Sequence, residues 1–134
     1  MVVTHDARLI LNTMPCILVV EDDQSIRRVY ERILLQRGHT VCFAPSALGA
    51  LDLIRIEKGA IDLVLLDLRL GRLMSGIEVA RELRGTPPAI VITGMSLEEL
   101  RRDPLEFVAK VFQKGEFTND ELLDEIDRQL GSKT

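Results

Sequence analysis

No stretch of this 134-residue chain approaches the run of about 18 apolar residues that a membrane-crossing helix needs. We therefore expect a soluble protein with no membrane partner. The amino-terminal MVVTHDARLILNTMP breaks its apolar residues with Asp6, Arg8 and Asn12 and lacks a small-residue cleavage pattern, which argues against a secretory leader. Cysteine is scarce too. Cys16 and Cys42 each stand inside an apolar run and read as buried free thiols, a usage that suits a reducing cytoplasm. Basic charge is neither abundant nor clustered: 17 Lys and Arg face 21 Asp and Glu, for a net charge of -4. A phosphate backbone is held by grouped Lys and Arg, so no nucleic-acid partner is expected. His5 and His39 have no ligand spacing and are expected at the surface.

The chain is rich in aliphatic residues, with 46% of it hydrophobic, enough for one domain with a sizeable core. Apolar runs alternate with helical patterns. CILVV (16–20) reads as a strand, and Ile26, Val29, Tyr30, Ile33 and Leu34 recur at helical spacing until Gly38. TVCF (40–43) is a second strand; Ser46 caps a helix on which Leu48, Leu51 and Ile54 share a face, and Gly59 closes it. IDLVLL (61–66) is apolar enough for a central parallel strand, and a helix over about 76–84 follows. AIVIT (89–93), led in by Pro87 and Pro88, is the fourth strand, and KVFQ (110–113) a weak fifth. Ser96 with Glu99, and Thr118 with Glu121, spell capping boxes; the last helix carries Leu122, Leu123, Ile126 and Leu130 on one side. Such alternation predicts an α/β fold, a single doubly wound five-stranded parallel sheet with right-handed crossovers and helices on both faces.

In a sheet of this kind the ligand site lies beyond the carboxyl ends of the strands. The residues there are Glu21, Asp22 and Asp23 after strand one, Asp67 after strand three, Thr93 at the end of strand four and Lys114 after strand five. Carboxylates meeting in one crevice repel unless a proton or a cation intervenes. Oxygen donors alone favour Mg²⁺, Mn²⁺ or Ca²⁺ over zinc, and Mg²⁺ keeps room for a phosphoryl oxygen. Asp67 is then a candidate nucleophile, with Lys114 and Thr93 as donors to phosphoryl oxygens. Each residue alone has an ordinary reading, as a solvated charge, a turn start or a cap. Their coincidence at one end of four strands does not.

With ILVVEDD (17–23), LVLLDLRL (63–70), Gly76, AIVITG (89–94) and VFQKGEF (111–117) in this order, residues 15–131 resemble the receiver domain of two-component response regulators. The resemblance implies a flavodoxin-like strand order of 2-1-3-4-5, an order for which a receiver protein is itself a standard illustration. It implies Asp67 as phosphoacceptor, Thr93 and Lys114 as phosphoryl contacts, and Glu21, Asp22, Asp67 and the backbone carbonyl of Arg69 as ligands of Mg²⁺, with Mn²⁺ as its substitute. Asp23 is left as the start or cap of the first helix. The implied partners are a histidine kinase or histidine phosphotransfer protein and an unidentified output protein. The implied location is the cytoplasm, and the only implied reactions are self-phosphorylation from a donor and autodephosphorylation.

The chain departs from the family pattern in four places. Gly71 replaces the usual proline after the phosphoacceptor, with Gly76 one residue late; Gly115 replaces the proline after the lysine, so no cis bond is expected there. Val111 stands where the family has its switch aromatic, with Phe112 turned to the opposite face. Pro104 breaks the fourth helix. Arg69 and Met95 flank the site without a carboxylate or amide to orient water, which implies a long-lived phosphoryl form. Two rival readings are a receiver-like binding module that no longer switches and a Mg²⁺-dependent aspartate-nucleophile phosphatase, the latter disfavoured because EDDQS offers no DxD nucleophile motif on the first strand. Residues 1–14 form an extension whose Leu9, Ile10 and Leu11 would pack on the domain or on a second copy in a homodimer, or else a flexible leader; 132–134 are a tail.

Overall fold

The computed structural model describes residues 15–57, 59–68, 76–102 and 107–131. Among the described residues five strands and five helices alternate: β1 Cys16–Val20, α1 Gln24–Gln36, β2 Thr40–Ala44, α2 Ala47–Ile56, β3 Leu63–Asp67, α3 Gly76–Leu83, β4 Ala89–Thr93, α4 Leu97–Arg102, β5 Lys110–Gln113 and α5 Asn119–Gly131. All strand pairs are parallel, as the alternation of apolar runs and helical patterns predicts, and the order is β2-β1-β3-β4-β5, as the receiver resemblance implies.

Strand alternation divides the apolar residues between two cores. Leu18, Val20, Val64, Leu66 and Val91 face Ala50 and Leu51 of α2 and Val79 and Leu83 of α3. Ile17, Val19, Leu63, Leu65, Ile90 and Ile92 face Leu34 of α1 and Leu122 and Ile126 of α5. Every residue of β1, β3 and β4 is consequently buried, which explains why these runs are apolar up to the Asp67 and Thr93 that end β3 and β4. Each such side chain contributes about 1.5–3 kcal/mol relative to exposure. Of the two edge strands, β2 is mostly buried and β5 is the open one, with only Phe112 buried.

Several boundaries and faces differ from the sequence reading. β3 starts at Leu63 because Asp62 is used differently: its carboxylate accepts from Cys16 N at 2.8 Å and its own N–H donates to Cys16 O at 2.8 Å, clamping the entry to β1. Val29 is 49% exposed, since α1 turns Tyr30 and Ile33 inward and a neighbouring residue lies about 100° round the helix. Leu48 is likewise 52% exposed, because Ala47, Ala50 and Leu51 form the buried face of α2. α3 stops at Leu83, ahead of Arg84 in the left-handed region at φ 51°.

His39 is not at the surface. Gly38, at φ 86°, turns the chain directly from α1 into β2 and tucks His39 beneath α5, where its Nε2 lies 3.3 Å from Asp127 Oδ1. Arg37 also bonds Asp127, so the α1–β2 corner is tied to α5. Cys16 and Cys42 are buried, and their Sγ atoms stand 3.7 Å apart, too far for a disulfide bond. The Cys16 contact and burial push the Cys42 thiol up. The extension 1–14 and tail 132–134, with their expected roles, lie outside the described residues.

Candidate functional site

Where β1 ends, Glu21 still belongs to the sheet: its N–H donates to Ala44 O at 3.1 Å. Its side chain is buried, and Oε2 accepts from Asp22 N at 2.9 Å. Asp22 is exposed. Asp23 turns away and caps α1, its Oδ1 accepting from Ser25 N at 2.8 Å and Ile26 N at 3.2 Å. The triplet thus separates into two acids at the sheet end and one helix cap.

On the adjacent strand β3, buried Asp67 brings its carboxylate to the same place. One oxygen each from Glu21, Asp22 and Asp67 lie within 4.8 Å of one another. Lys114 Nζ reaches across from the end of β5 to Asp67 Oδ2 at 3.2 Å. Between them β4 ends in fully buried Thr93, whose Oγ1 accepts from Met95 N at 3.0 Å and whose carbonyl accepts from Lys114 N at 2.9 Å. Gly115 at φ 79° and the bond from Glu116 N to Gln113 O at 3.0 Å make the turn after the lysine without a proline. Val111 faces the α2/α3 core and Phe112 the other, as strand alternation requires.

α3 starts directly beneath Asp67. Gly76 N donates to Leu68 O at 3.1 Å, and a Cβ at this position would lie 2.3 Å from the Asp67 carbonyl oxygen. Only glycine permits that approach. Arg69 and the loop departures around Gly71 lie outside the described residues.

The electrostatics follow from this crowding. Burial, then the hydrogen bond shared with Asp22 and repulsion by Asp67, raise Glu21 to about 7. Three convergent carboxylates without sulfur or imidazole fit a hard divalent cation, which relieves the same repulsion. Two residues that the sequence reading did not place here also reach the site. Arg27 Nη1 donates to Glu21 O at 3.0 Å, and Tyr30 lines a cavity of about 10 Å³ with Glu21, Asp67 and Lys114. Their positions six and nine residues after Glu21, on the first turns of the helix that leaves the site, were the available signal.

Comparisons agree with this geometry. Residues 17–127 match the response regulator receiver domain family. The Response regulator MprA of Mycobacterium tuberculosis is 36% identical over 110 residues, covering 80% of this chain and 46% of that protein. The transcriptional regulatory protein AfsQ1 of Streptomyces coelicolor is 39% identical over 82 residues, covering 60% of this chain and 35% of that protein. The chain thus spans less than half the length of these relatives. Among solved structures, the response regulator protein TrrA of Thermotoga maritima in complex with Mg(2+)-BeF is 30% identical, with a TM-score of 0.73 over 87% of this chain and 99% of that one. A CheY-like receiver domain protein of Methanospirillum hungatei is 28% identical, with a TM-score of 0.76 over 90% and 96% of the respective chains. Fold, strand-end chemistry and sequence agree over the same residues, and the chain belongs to the receiver domain family of two-component response regulators.

Proposed function

We propose that this receiver takes a phosphoryl group onto Asp67 from a histidine kinase or histidine phosphotransfer protein and passes the signal to a protein partner by conformational change or phosphorelay. The observation that carries the reading is the contact of Asp67 with Lys114 at 3.2 Å, beside the carboxylates of Glu21 and Asp22. An Asp67 oxygen attacks phosphorus, the P–N bond of a phosphohistidine breaks, and the imidazole leaves with the electron pair; an acyl phosphate results. Glu21, Asp22, Asp67 and the Arg69 carbonyl would hold Mg²⁺ or Mn²⁺, which supplies positive charge against the phosphoryl oxygens. The TrrA structure, in complex with Mg(2+)-BeF, supports that assignment.

The chain's own groups share the remaining work. Lys114 donates from Nζ to a phosphoryl oxygen once the Asp67 charge is consumed in the acyl phosphate. Thr93 Oγ1 accepts from Met95 N and so keeps its own proton for donation to a second oxygen. Water attack on phosphorus later returns the Asp67 carboxylate and inorganic phosphate. Arg69 and Met95, two positions beyond Asp67 and Thr93 in the sequence, bring neither a carboxylate nor an amide of their own to orient that water, so autodephosphorylation is expected to be slow; a lifetime of seconds or less for the purified phosphoprotein would contradict this.

The test is intact mass after incubation with Mg²⁺ and acetyl phosphate. One added phosphoryl group is expected in the wild type, and none without metal or in Asp67→Asn. An unmodified wild type, after a short quench and with a cognate kinase supplied, would overturn the reading.

A further inference from the structure

The chain has a single tyrosine and no tryptophan, and that tyrosine stands at the acid site. Tyr30 packs its ring from α1 against the core shared with α5. With Glu21, Asp67 and Lys114 it also lines the cavity of about 10 Å³ just beneath the strand ends, whose other walls include aliphatic Val19 and Ile92. A half-buried phenol needs an acceptor for its O–H. Among the side chains that line this cavity the acceptors are the carboxylates of Glu21 and Asp67, and the volume matches about one water. Burial, then the charges of Glu21 and Asp67, raise the phenol to about 12, so it remains protonated and able to donate.

We propose that Tyr30 is a positioning residue for the cation site: its O–H donates, through the single water the cavity admits, to the carboxylate of Glu21 and holds that ligand toward the metal. Glu21 is then fixed from two sides, by Asp22 N–H at Oε2 and by Tyr30 from α1. The proposal rests on the functional reading above, since it assigns Glu21 to the cation.

Mg²⁺ titration by calorimetry, on the wild type and on Tyr30→Phe, tests it, with melting temperature and acetyl phosphate adduct measured in parallel. Loss of one hydrogen bond to a charged ligand is expected to raise the Mg²⁺ Kd about three- to tenfold. The ring remains, so the melting temperature should hold within about 2 °C. In the wild type, tyrosine emission should change with the same midpoint as the heat of Mg²⁺ binding. Equal Kd values in the two proteins, with or without a drop in melting temperature, would overturn the proposal. So would wild-type emission that is blind to Mg²⁺ while heat is released, a result that stands even if Tyr30→Phe fails to fold. Wild type that binds Mg²⁺ yet gains no phosphoryl group would instead sink the functional reading, and the Kd ratio would still decide Tyr30.

Discussion

At Glu21 the folded protein binds a proton more tightly than the unfolded chain does, because burial and the neighbouring acids raise its pKa from 4.5 to about 7. Its contribution to stability is therefore complete below about pH 4.5, declines as pH rises, and is gone above about pH 7. Glu125 acts in the opposite sense. Burial raises its pKa, but the hydrogen bonds from Gln129 and Arg128 outweigh that and lower it, so its contribution is lost only as pH falls below the usual carboxylate range. Melting temperatures of metal-free protein between pH 5 and pH 8 should accordingly fall as pH rises, and Glu21→Gln should flatten the slope. Gly76→Ala is the most damaging single methyl group we expect, because its Cβ meets the Asp67 carbonyl at 2.3 Å. A loss of roughly 2–4 kcal/mol is expected, read by urea denaturation, together with slower acetyl phosphate labelling as Asp67 shifts. Acids and lysine were legible in the sequence because strand ends face one way. Tyr30 was not: helical spacing marks it as a core position and is silent on where its hydroxyl ends.

Among the elements, caps were read correctly and faces only partly. Ser46, Ser96 and Thr118 each accept at 3.1 Å from the backbone N–H three residues on, as their local sequence predicts. Ser46→Ala should cost about 1 kcal/mol in chemical denaturation and leave phosphoryl uptake unchanged, since β2 brings no side chain to the acid site. Val29 and Leu48 were misread because two adjacent apolar residues both satisfy a loose helical period, and only the packed sheet decides which one faces it. In α2 the sheet chose the alanines, which let the helix approach closely. His39 shows a related limit. Its burial depends on α5, an element some ninety residues downstream of the α1–β2 corner that it packs against (Arg37 to Asp127 is a separation of 90), and nothing local announces it.

For the whole molecule, alternating βα units predicted the parallel sheet, but periodicity cannot rank strands, and the order came from family resemblance alone. That order is what brings the site together. It places β1 beside β3, so Glu21 and Asp22 meet Asp67, and it sets β4 and β5 on the far side of β3. A cation that binds only this arrangement should stabilise all of it: at a hundredfold excess over Kd the gain is about 2.7 kcal/mol. Thermal unfolding should show that gain with Mg²⁺, and Asp67→Asn should show much less. The same placement has a kinetic side. The clamp between Cys16 and Asp62 spans 46 residues and the Asp67–Lys114 contact 47, so neither can form from a local segment. Contacts this distant in sequence raise contact order and slow folding, and the amides of β1 and β3 should be the last to exchange with deuterium. A nascent or refolding chain therefore has no site until β1, β3 and β5 have all been joined, and chemical competence waits on the whole sheet.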